Sequence, residues 1–231
     1  MTVLHLADET EAADLAGFLG RLLHYDRSAA VRLQAAGTAL AVFGRPASFE
    51  VLAVRAVRLA KPYEHGLDVT LDVTVSAGEL LESVEERAAT AGVPAAVTGP
   101  PWAGVLPPRG GWRPEPGLPR AESLRAAVAE AVAEFRTRTG ELATEHRTRA
   151  ELDRMGREIW SRTLEPTQLP LRAVHAAQSL GFLRPAPDGA GGGDGTALGL
   201  YSSGAWLRLR TPYGSIAVRR AGLGALGVSV R

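Results

Sequence analysis

Hydrophobic and polar residues follow two different spacings along the first half of the chain. Apolar residues recur every three or four positions over residues 9–24, a spacing that predicts an amphipathic helix. Residues 31–35 instead alternate residue by residue, and after the turn Ala36-Gly37 residues 38–43 run back, which predicts a β-hairpin. A first helix is therefore expected to lead into antiparallel strands.

Two further strands and a second helix complete the predicted first half. Residues 49–59 are rich in valine, and residues 68–75 place valine or leucine at every second position. The second pattern is typical of a sheet with one buried and one solvated face. Ser76 and Glu79 then form a capping box, which predicts a helix that runs to about Ala91.

The second half is predicted to contain helices and then a ribbon of strands. Apolar spacing predicts three helices, over residues 122–139, 147–162 and 171–180. Short alternating stretches predict three strands, over residues 197–201, 205–210 and 215–220. The whole pattern predicts an α+β fold, with an N-terminal helix–antiparallel meander–helix unit followed by helices and a C-terminal antiparallel β-ribbon.

A segment rich in proline and tryptophan separates the two halves. Residues 97–119, here called the arm, contain seven of the fifteen prolines and two of the four tryptophans. Proline lacks a backbone donor and fixes φ, so the arm is neither a helix nor a central strand. Trp102, Trp112 and Val105-Leu106 are not residues that a free linker needs. We therefore expect an ordered arm or linker that lies over the junction of the two halves.

The sequence predicts three divisions: an antiparallel-sheet unit at residues 1–96, the arm, and a helical segment with the ribbon at residues 120–231. Charged residues are distributed unevenly between them. Residues 1–96 contain 8 basic and 13 acidic side chains, whereas residues 166–231 contain 7 basic and 2 acidic ones. The two halves are therefore expected either to dock on each other and share one core, or to offer a charged surface to a partner. The net charge of +1 gives the whole molecule no strong attraction for nucleic acid.

Composition narrows the chemistry that the chain can perform. The 231 residues contain no cysteine, which excludes disulfides, thiol catalysis and cysteine-ligated metals. No histidine pair has metal-binding spacing, and no nucleotide loop or GxSxG motif occurs, so we expect neither a metal nor a cofactor. No apolar run reaches the length of a membrane span and no secretory signal opens the chain, so we expect a cytoplasmic protein without membrane association.

The arm carries the residues that are predicted to bind a protein partner. Pro107-Pro108-Arg109 is typical of a polyproline II segment that docks in an aromatic groove, and a tryptophan flanks it on each side. The leading interpretation is a non-enzymatic protein that acts through a protein partner, with Trp102, Arg109 and Trp112 as its contacts. Enzymatic activity stays open but is not favoured, and the sequence is compatible with a homo-oligomer.

Two alternative functions remain open at this stage. The order of helix 147–162, turn, helix 171–180 and ribbon is similar in outline to a winged helix-turn-helix, which places its second helix in the major groove of DNA. In a DNA-binding regulator of this kind, the contacts would be the polar residues of the second helix and the ribbon arginines, namely Arg172, His175, Gln178, Arg208, Arg210, Arg219 and Arg220. The other alternative is a small-molecule binder or hydrolase with a pocket under the arm, which would use His175 and the three arm residues named above.

Overall fold

The structure, a computed structural model, describes residues 2–60, 71–185 and 198–220 and combines helices with antiparallel sheets, which confirms the predicted α+β class. The strands are β1 (Val3–His5), β2 (Ala30–Ala36), β3 (Ala39–Gly44), β4 (Leu52–Arg58), β5 (Asp72–Ser76), β6 (Val84–Glu85), β7 (Thr90–Gly92), β8 (Arg113–Glu115), β9 (Gly199–Ser203), β10 (Trp206–Thr211) and β11 (Gly214–Arg219). The α-helices are α1 (Glu9–Tyr25), α2 (Ala77–Glu82), α3 (Ala121–Glu141), α4 (Arg149–Ser161) and α5 (Leu171–Ser179).

Eight of these strands form one antiparallel sheet, in the order β5-β2-β3-β4-β11-β10-β9-β8. The predicted meander supplies β2, β3 and β4, and the predicted C-terminal ribbon supplies β9, β10 and β11. The two groups join where β4 pairs with β11, with Ala53 opposite Ile216 and Val54 opposite Ser215. Both halves of the chain therefore contribute to the same sheet.

One face of this sheet packs against helices and forms the core. On β10, Leu207 and Leu209 are buried, and the arginines that alternate with them lie on the other face, as the sequence pattern predicted. The ring of Phe18 in α1 stacks on that of Phe182, which follows α5, with 5.7 Å between ring centroids. The apolar stripe predicted over residues 9–24 thus belongs to the core of the molecule.

The arm crosses the opposite face of the sheet from one edge to the other. At the β5 edge, the backbone N–H of Val97 donates to the carbonyl oxygen of Thr74 at 2.9 Å. A 3-10 turn at Pro101–Gly104 follows and buries Ala103. At the far edge the arm becomes β8, which pairs with β9. The arm therefore covers the sheet face that lies opposite the helices.

The helix predicted after Ser76 is shorter than expected, because α2 ends at Glu82 and not at about Ala91. The next eight residues contain only one large apolar side chain, so no apolar stripe continues the helix. The chain forms β6 and β7 instead, and β7 pairs with β1 in a second sheet ordered β1-β7-β6. The Ser83 hydroxyl lies 2.7 Å from the Gly92 carbonyl oxygen and ties the end of α2 to β7.

Some of the predicted elements cannot be followed to their ends. Residues 61–70, 186–197 and 221–231 lie outside the described part of the chain, and with them lie the first residues of the strands predicted over 68–75 and 197–201. Within the described part, no helix is both long and apolar enough to cross a membrane.

Candidate functional site

Three cavities surround the connection between β3 and β4, residues 45–51. Their volumes are about 880, 650 and 230 Å³. The first and second share Ala47, the second and third share Arg45 and Trp102, and the third and first share Glu50 and Arg172. Because each cavity shares lining residues with the other two, the three adjoin one another, and together we call them the junction groove.

Aromatic rings from separate elements line the largest part of the junction groove. The His175 ring of α5 stacks on the Trp160 ring of α4, with centroids 4.3 Å apart and an interplanar angle of 26°. Phe49 lies edge-on to His175 at 5.0 Å, and Tyr25 lies edge-on to Phe49 at 5.2 Å. Trp160, His175 and Tyr25 are only partly buried, so this ring cluster offers apolar surface to a ligand.

His175 is the titratable member of the ring cluster. Its burial between the aromatic rings lowers the pKa of the imidazole below the value of 6.5 for an unperturbed histidine. The imidazole is therefore neutral at neutral pH, with one nitrogen that donates and one that accepts a hydrogen bond. This part of the groove is thus suited to an apolar group with a polar edge.

The smallest part of the junction groove is basic. Arg45, Arg172 and Arg219 line it together with Trp102 and Trp206, and Glu50 is the one carboxylate among the described residues of its lining. The guanidinium carbon of Arg219 lies 5.2 Å from the centroid of the Trp206 ring, and Nε of Arg172 is buried without a hydrogen-bond partner. Within the described residues, none of the three arginines forms an ion pair with a carboxylate. This arrangement favours an anionic group of a ligand, since arginine binds carboxylates and phosphates strongly.

A separate cavity of about 250 Å³, here called the arm cavity, lies between the arm and the sheet. Pro107 and Pro108 form its roof, and four of the eight sheet residues below them are alanines. Gln34, Arg109 and Arg208 are the polar side chains among the described residues that line it. The arm cavity shares no described lining residue with the junction groove.

Arg208 is held in place beside the arm cavity. Its Nε donates to the Ser215 hydroxyl at 2.9 Å, and its guanidinium carbon lies 5.6 Å from the centroid of the Trp112 ring. Burial lowers the pKa of this guanidinium, and the like charge of Arg210 lowers it further. Trp112 in turn donates from Nε1 to the Pro108 carbonyl oxygen at 2.9 Å, which fixes the arm over Arg208.

Arg109 differs from Arg208, because it is exposed and has an acidic neighbour. The pKa of Asp72 is lowered mainly by a hydrogen bond of 2.8 Å from Arg32, while burial raises it. A hydrogen bond from Gln34 and the positive charge of Arg109, which is exposed, lower it further by smaller amounts. Arg109 is thus the outer and partly compensated cation of the arm cavity, and Arg208 is the inner one.

Residues 107–223 match the model of a family described as a domain of unknown function (DUF8185). The chain belongs to the DUF8185 family. Residues 1–104 match the model of a second domain of unknown function, DUF8010. No curated protein and no solved structure matches the chain. The two matched regions meet inside the arm, and both line the junction groove: Arg45 and Trp102 lie in the first region, and Arg172 and Arg219 in the DUF8185 region.

The structure separates the three arm residues that were predicted to bind a partner. Trp102 lines the junction groove, Arg109 lines the arm cavity, and Trp112 covers Arg208. The three side chains therefore do not form one contact surface. Whether any of them contacts a partner stays a prediction.

The residues predicted for DNA binding are also divided. Arg172, His175 and Arg219 line the junction groove, and Arg208 lines the arm cavity. The other three lie elsewhere: Gln178 is exposed on α5, Arg210 lies on β10, and Arg220 donates to Glu115 at 2.7 Å.

The winged helix-turn-helix outline does not describe this segment. The ribbon is not a free hairpin, because β11 pairs with β4 and β10 pairs with β9 inside the eight-stranded sheet. In α5, Ala173, Val174, Ala176 and Ala177 are buried, so this helix is mainly a core element. DNA binding stays a prediction, but it would need a surface different from that of a winged module.

Sequence reasoning missed half of the junction groove. Phe49 and Trp160 fall within a predicted strand and a predicted helix, whereas Tyr25 and Arg45 lie outside every predicted element. Glu50 adopts a left-handed backbone conformation with φ of 53°, which no sequence pattern indicated. The one available signal was Gly44-Arg45-Pro46, which marked a connection where side chains could project into a groove.

Proposed function

We propose that this protein is a non-enzymatic binding protein that holds a segment of a partner protein in the junction groove. An apolar or aromatic side chain of the partner lies against the ring cluster of Phe49, Trp160 and His175. An acidic group of the same segment binds the arginines at the basic end. The partner segment is thus expected to carry an acidic residue close to a large apolar one.

The adjacency of rings and uncompensated arginines supports this proposal most directly. Arg172 and Glu50 line both the aromatic and the basic part of the groove, so the two parts touch. Binding sites gain most of their affinity from buried aromatic and arginine contacts.

The size of the junction groove favours a protein segment over a small molecule. Two of its three parts, at about 880 and 650 Å³, are each as large as the pocket of a whole drug-sized ligand. Arg45 and Glu50, which line the third part, are exposed. An extended segment can fill such a groove with several consecutive side chains.

The proposal can be tested by selecting peptides from a random display library on the immobilised full chain. We expect enrichment of peptides that combine an acidic with an aromatic or large aliphatic residue. Arg172→Gln should weaken their binding about tenfold or more, because a charge-assisted hydrogen bond is lost. Trp160→Ala should weaken it by a similar factor. Fluorescence anisotropy of a labelled selected peptide measures both effects.

Arg136→Gln is the matched control, because it removes one exposed arginine of α3 that lines neither cavity. Its peptide affinity should equal that of the wild type, and circular dichroism checks that each variant is folded. The proposal is wrong if no peptide is enriched, or if selected peptides bind the Arg172 and Trp160 variants as tightly as the wild type.

A further inference from the structure

We propose that the arm cavity is a second binding site, and that it takes a small monocarboxylate with a short apolar or aromatic part. This site is independent of the junction groove, with which it shares no described lining residue. The carboxylate binds the guanidinium of Arg208, and the apolar part lies on the sheet under Pro107 and Pro108.

The charge of Arg208 is the first observation behind this assignment. The described residues that line the arm cavity include two arginines and no carboxylate. Nε of Arg208 donates to the Ser215 hydroxyl, a neutral acceptor, and its neighbour Arg210 carries the same charge. A partly buried cation without an opposite charge is unfavourable, and a bound anion would compensate it.

The floor of the cavity determines what else the ligand contains. Ala36, Ala39 and Ala41 present small side chains, and Phe43 and Val54 complete an apolar surface. The volume of about 250 Å³ corresponds to roughly eight water molecules. A benzoate or a short fatty-acid anion is of this size, whereas a nucleotide is larger.

A monocarboxylate fits the available charge better than phosphate does. Arg208 is the inner cation, whereas Arg109 is exposed at the rim and already near Asp72. One guanidinium balances one negative charge, and its planar donors match the two oxygens of a carboxylate. Apart from Gln34 and the rim residue Arg109, the remaining walls are apolar and would leave further phosphate oxygens with few donors.

The arm is fastened next to the cavity roof, on its C-terminal side. Trp112 donates to the Pro108 carbonyl oxygen at 2.9 Å, and the Ser203 hydroxyl donates to the Gly110 carbonyl oxygen at 3.3 Å. These bonds hold the prolines over the sheet and the Trp112 ring over Arg208. The site is therefore formed before a ligand arrives.

Calorimetric titration and saturation-transfer NMR of the full chain test this proposal with benzoate, phenylacetate and hexanoate as probes. We expect saturable binding of at least one carboxylate, and binding of its neutral amide that is about tenfold weaker or more. Inorganic phosphate should not bind at the same concentrations. Phosphate binding without carboxylate binding would overturn the assigned ligand class, and binding of neither would overturn the site itself.

Two variants locate the binding. Arg208→Gln should weaken carboxylate binding about tenfold or more, and Ala41→Leu should abolish it by filling the floor while it keeps the arginine. Arg136→Gln, which removes one charge far from the cavity, should bind like the wild type. Unchanged binding to either cavity variant would overturn the proposal. If Arg208→Gln does not fold, the Ala41 variant and the comparison of acid with amide decide alone.

Discussion

His175 is the side chain of the junction groove whose charge changes nearest to neutral pH. Burial lowers its pKa in the folded chain, so between that pKa and 6.5 the unfolded chain binds more protons on this residue. The free energy of unfolding should therefore rise with pH through this range and fall as the solution is acidified. Urea unfolding between about pH 5 and pH 7 measures this slope.

The variant His175→Phe isolates the contribution of this residue, because phenylalanine can keep the stacking on Trp160 but cannot titrate. The other histidines contribute equally to both proteins, so the pH slope of the variant should be smaller than that of the wild type. Identical slopes would show that the pKa of His175 is the same in the folded and unfolded chain.

Arg55 is the central residue of a buried ion cluster between α1 and β4. Its Nη2 lies 3.0 Å from a Glu11 oxygen and 3.1 Å from an Asp14 oxygen, and its Nη1 donates to the Tyr213 carbonyl oxygen at 2.7 Å. Arg55→Met should lower the free energy of unfolding by about 2–3 kcal/mol, because it removes the buried cation and leaves Glu11 and Asp14 only the more exposed Arg58 and Arg184. Urea denaturation at neutral pH measures this loss.

Arg58 provides the matched comparison for Arg55 within the same cluster. It also binds Glu11, at 2.8 Å, but its side chain is 71% exposed, whereas that of Arg55 is 8% exposed. Arg58→Met should therefore cost less than about 1 kcal/mol. Equal losses for the two variants would mean that burial does not control the strength of this cluster.

For individual residues, the sequence predicted on which face of the sheet a side chain lies, but not which side chains contact each other. The alternation on β10 correctly placed Arg208 and Arg210 on the face opposite Leu207 and Leu209. It could not indicate that Trp112, from a distant segment, would cover Arg208. Contacts of this kind depend on how whole elements pack, and no local spacing of residues records that.

The packing of α1 on β3 depends on the absence of a side chain at Gly44. A Cβ at this position would lie 2.5 Å from Cδ1 of Leu22, which is buried in α1. Gly44→Ala should therefore force α1 away from the sheet and cost about 1–3 kcal/mol. Thermal and urea unfolding of the purified variant measure the loss.

Gly20 supplies the opposite case within α1. It is exposed, and a Cβ added there would meet no atom within 4 Å. Gly20→Ala should stabilise the protein by about 0.5–1 kcal/mol, because alanine loses less conformational freedom in a helix than glycine. If Gly44→Ala and Gly20→Ala both raise or both lower the free energy of unfolding, this explanation of how α1 packs is wrong.

The two helices of the first half explain why elements were predicted with unequal success. For α1, the apolar stripe predicted the helix correctly. The Asp8 side chain caps its start by accepting a hydrogen bond from the Glu11 backbone N–H at 2.9 Å. For α2, the capping residue Ser76 was correct, but the end was not. The chain leaves α2 early because β7 pairs with β1, and that pairing joins residues far apart in sequence.

For the whole molecule, the contacts between the two family-matched regions predict a single unfolding transition. β4 pairs with β11 in the middle of the sheet, Arg184 binds Asp14, and Phe18 stacks on Phe182. Far-UV circular dichroism follows the entire chain, whereas all four tryptophans lie at residue 102 or later. Urea transitions measured by the two signals should coincide, and two separated transitions would contradict this prediction.

Separate production of residues 1–104 and 107–231 tests the same dependence directly. The first fragment would leave the β4 edge unpaired, and the second would expose the apolar residues of β10 and β11, so neither should unfold cooperatively alone. Mixing them should restore the circular dichroism of the intact chain. Because Arg45 and Arg172 come from different fragments, peptide binding in the junction groove should return only with that mixture. Cooperative unfolding of either fragment alone would mean that the shared sheet is not what holds the two regions together.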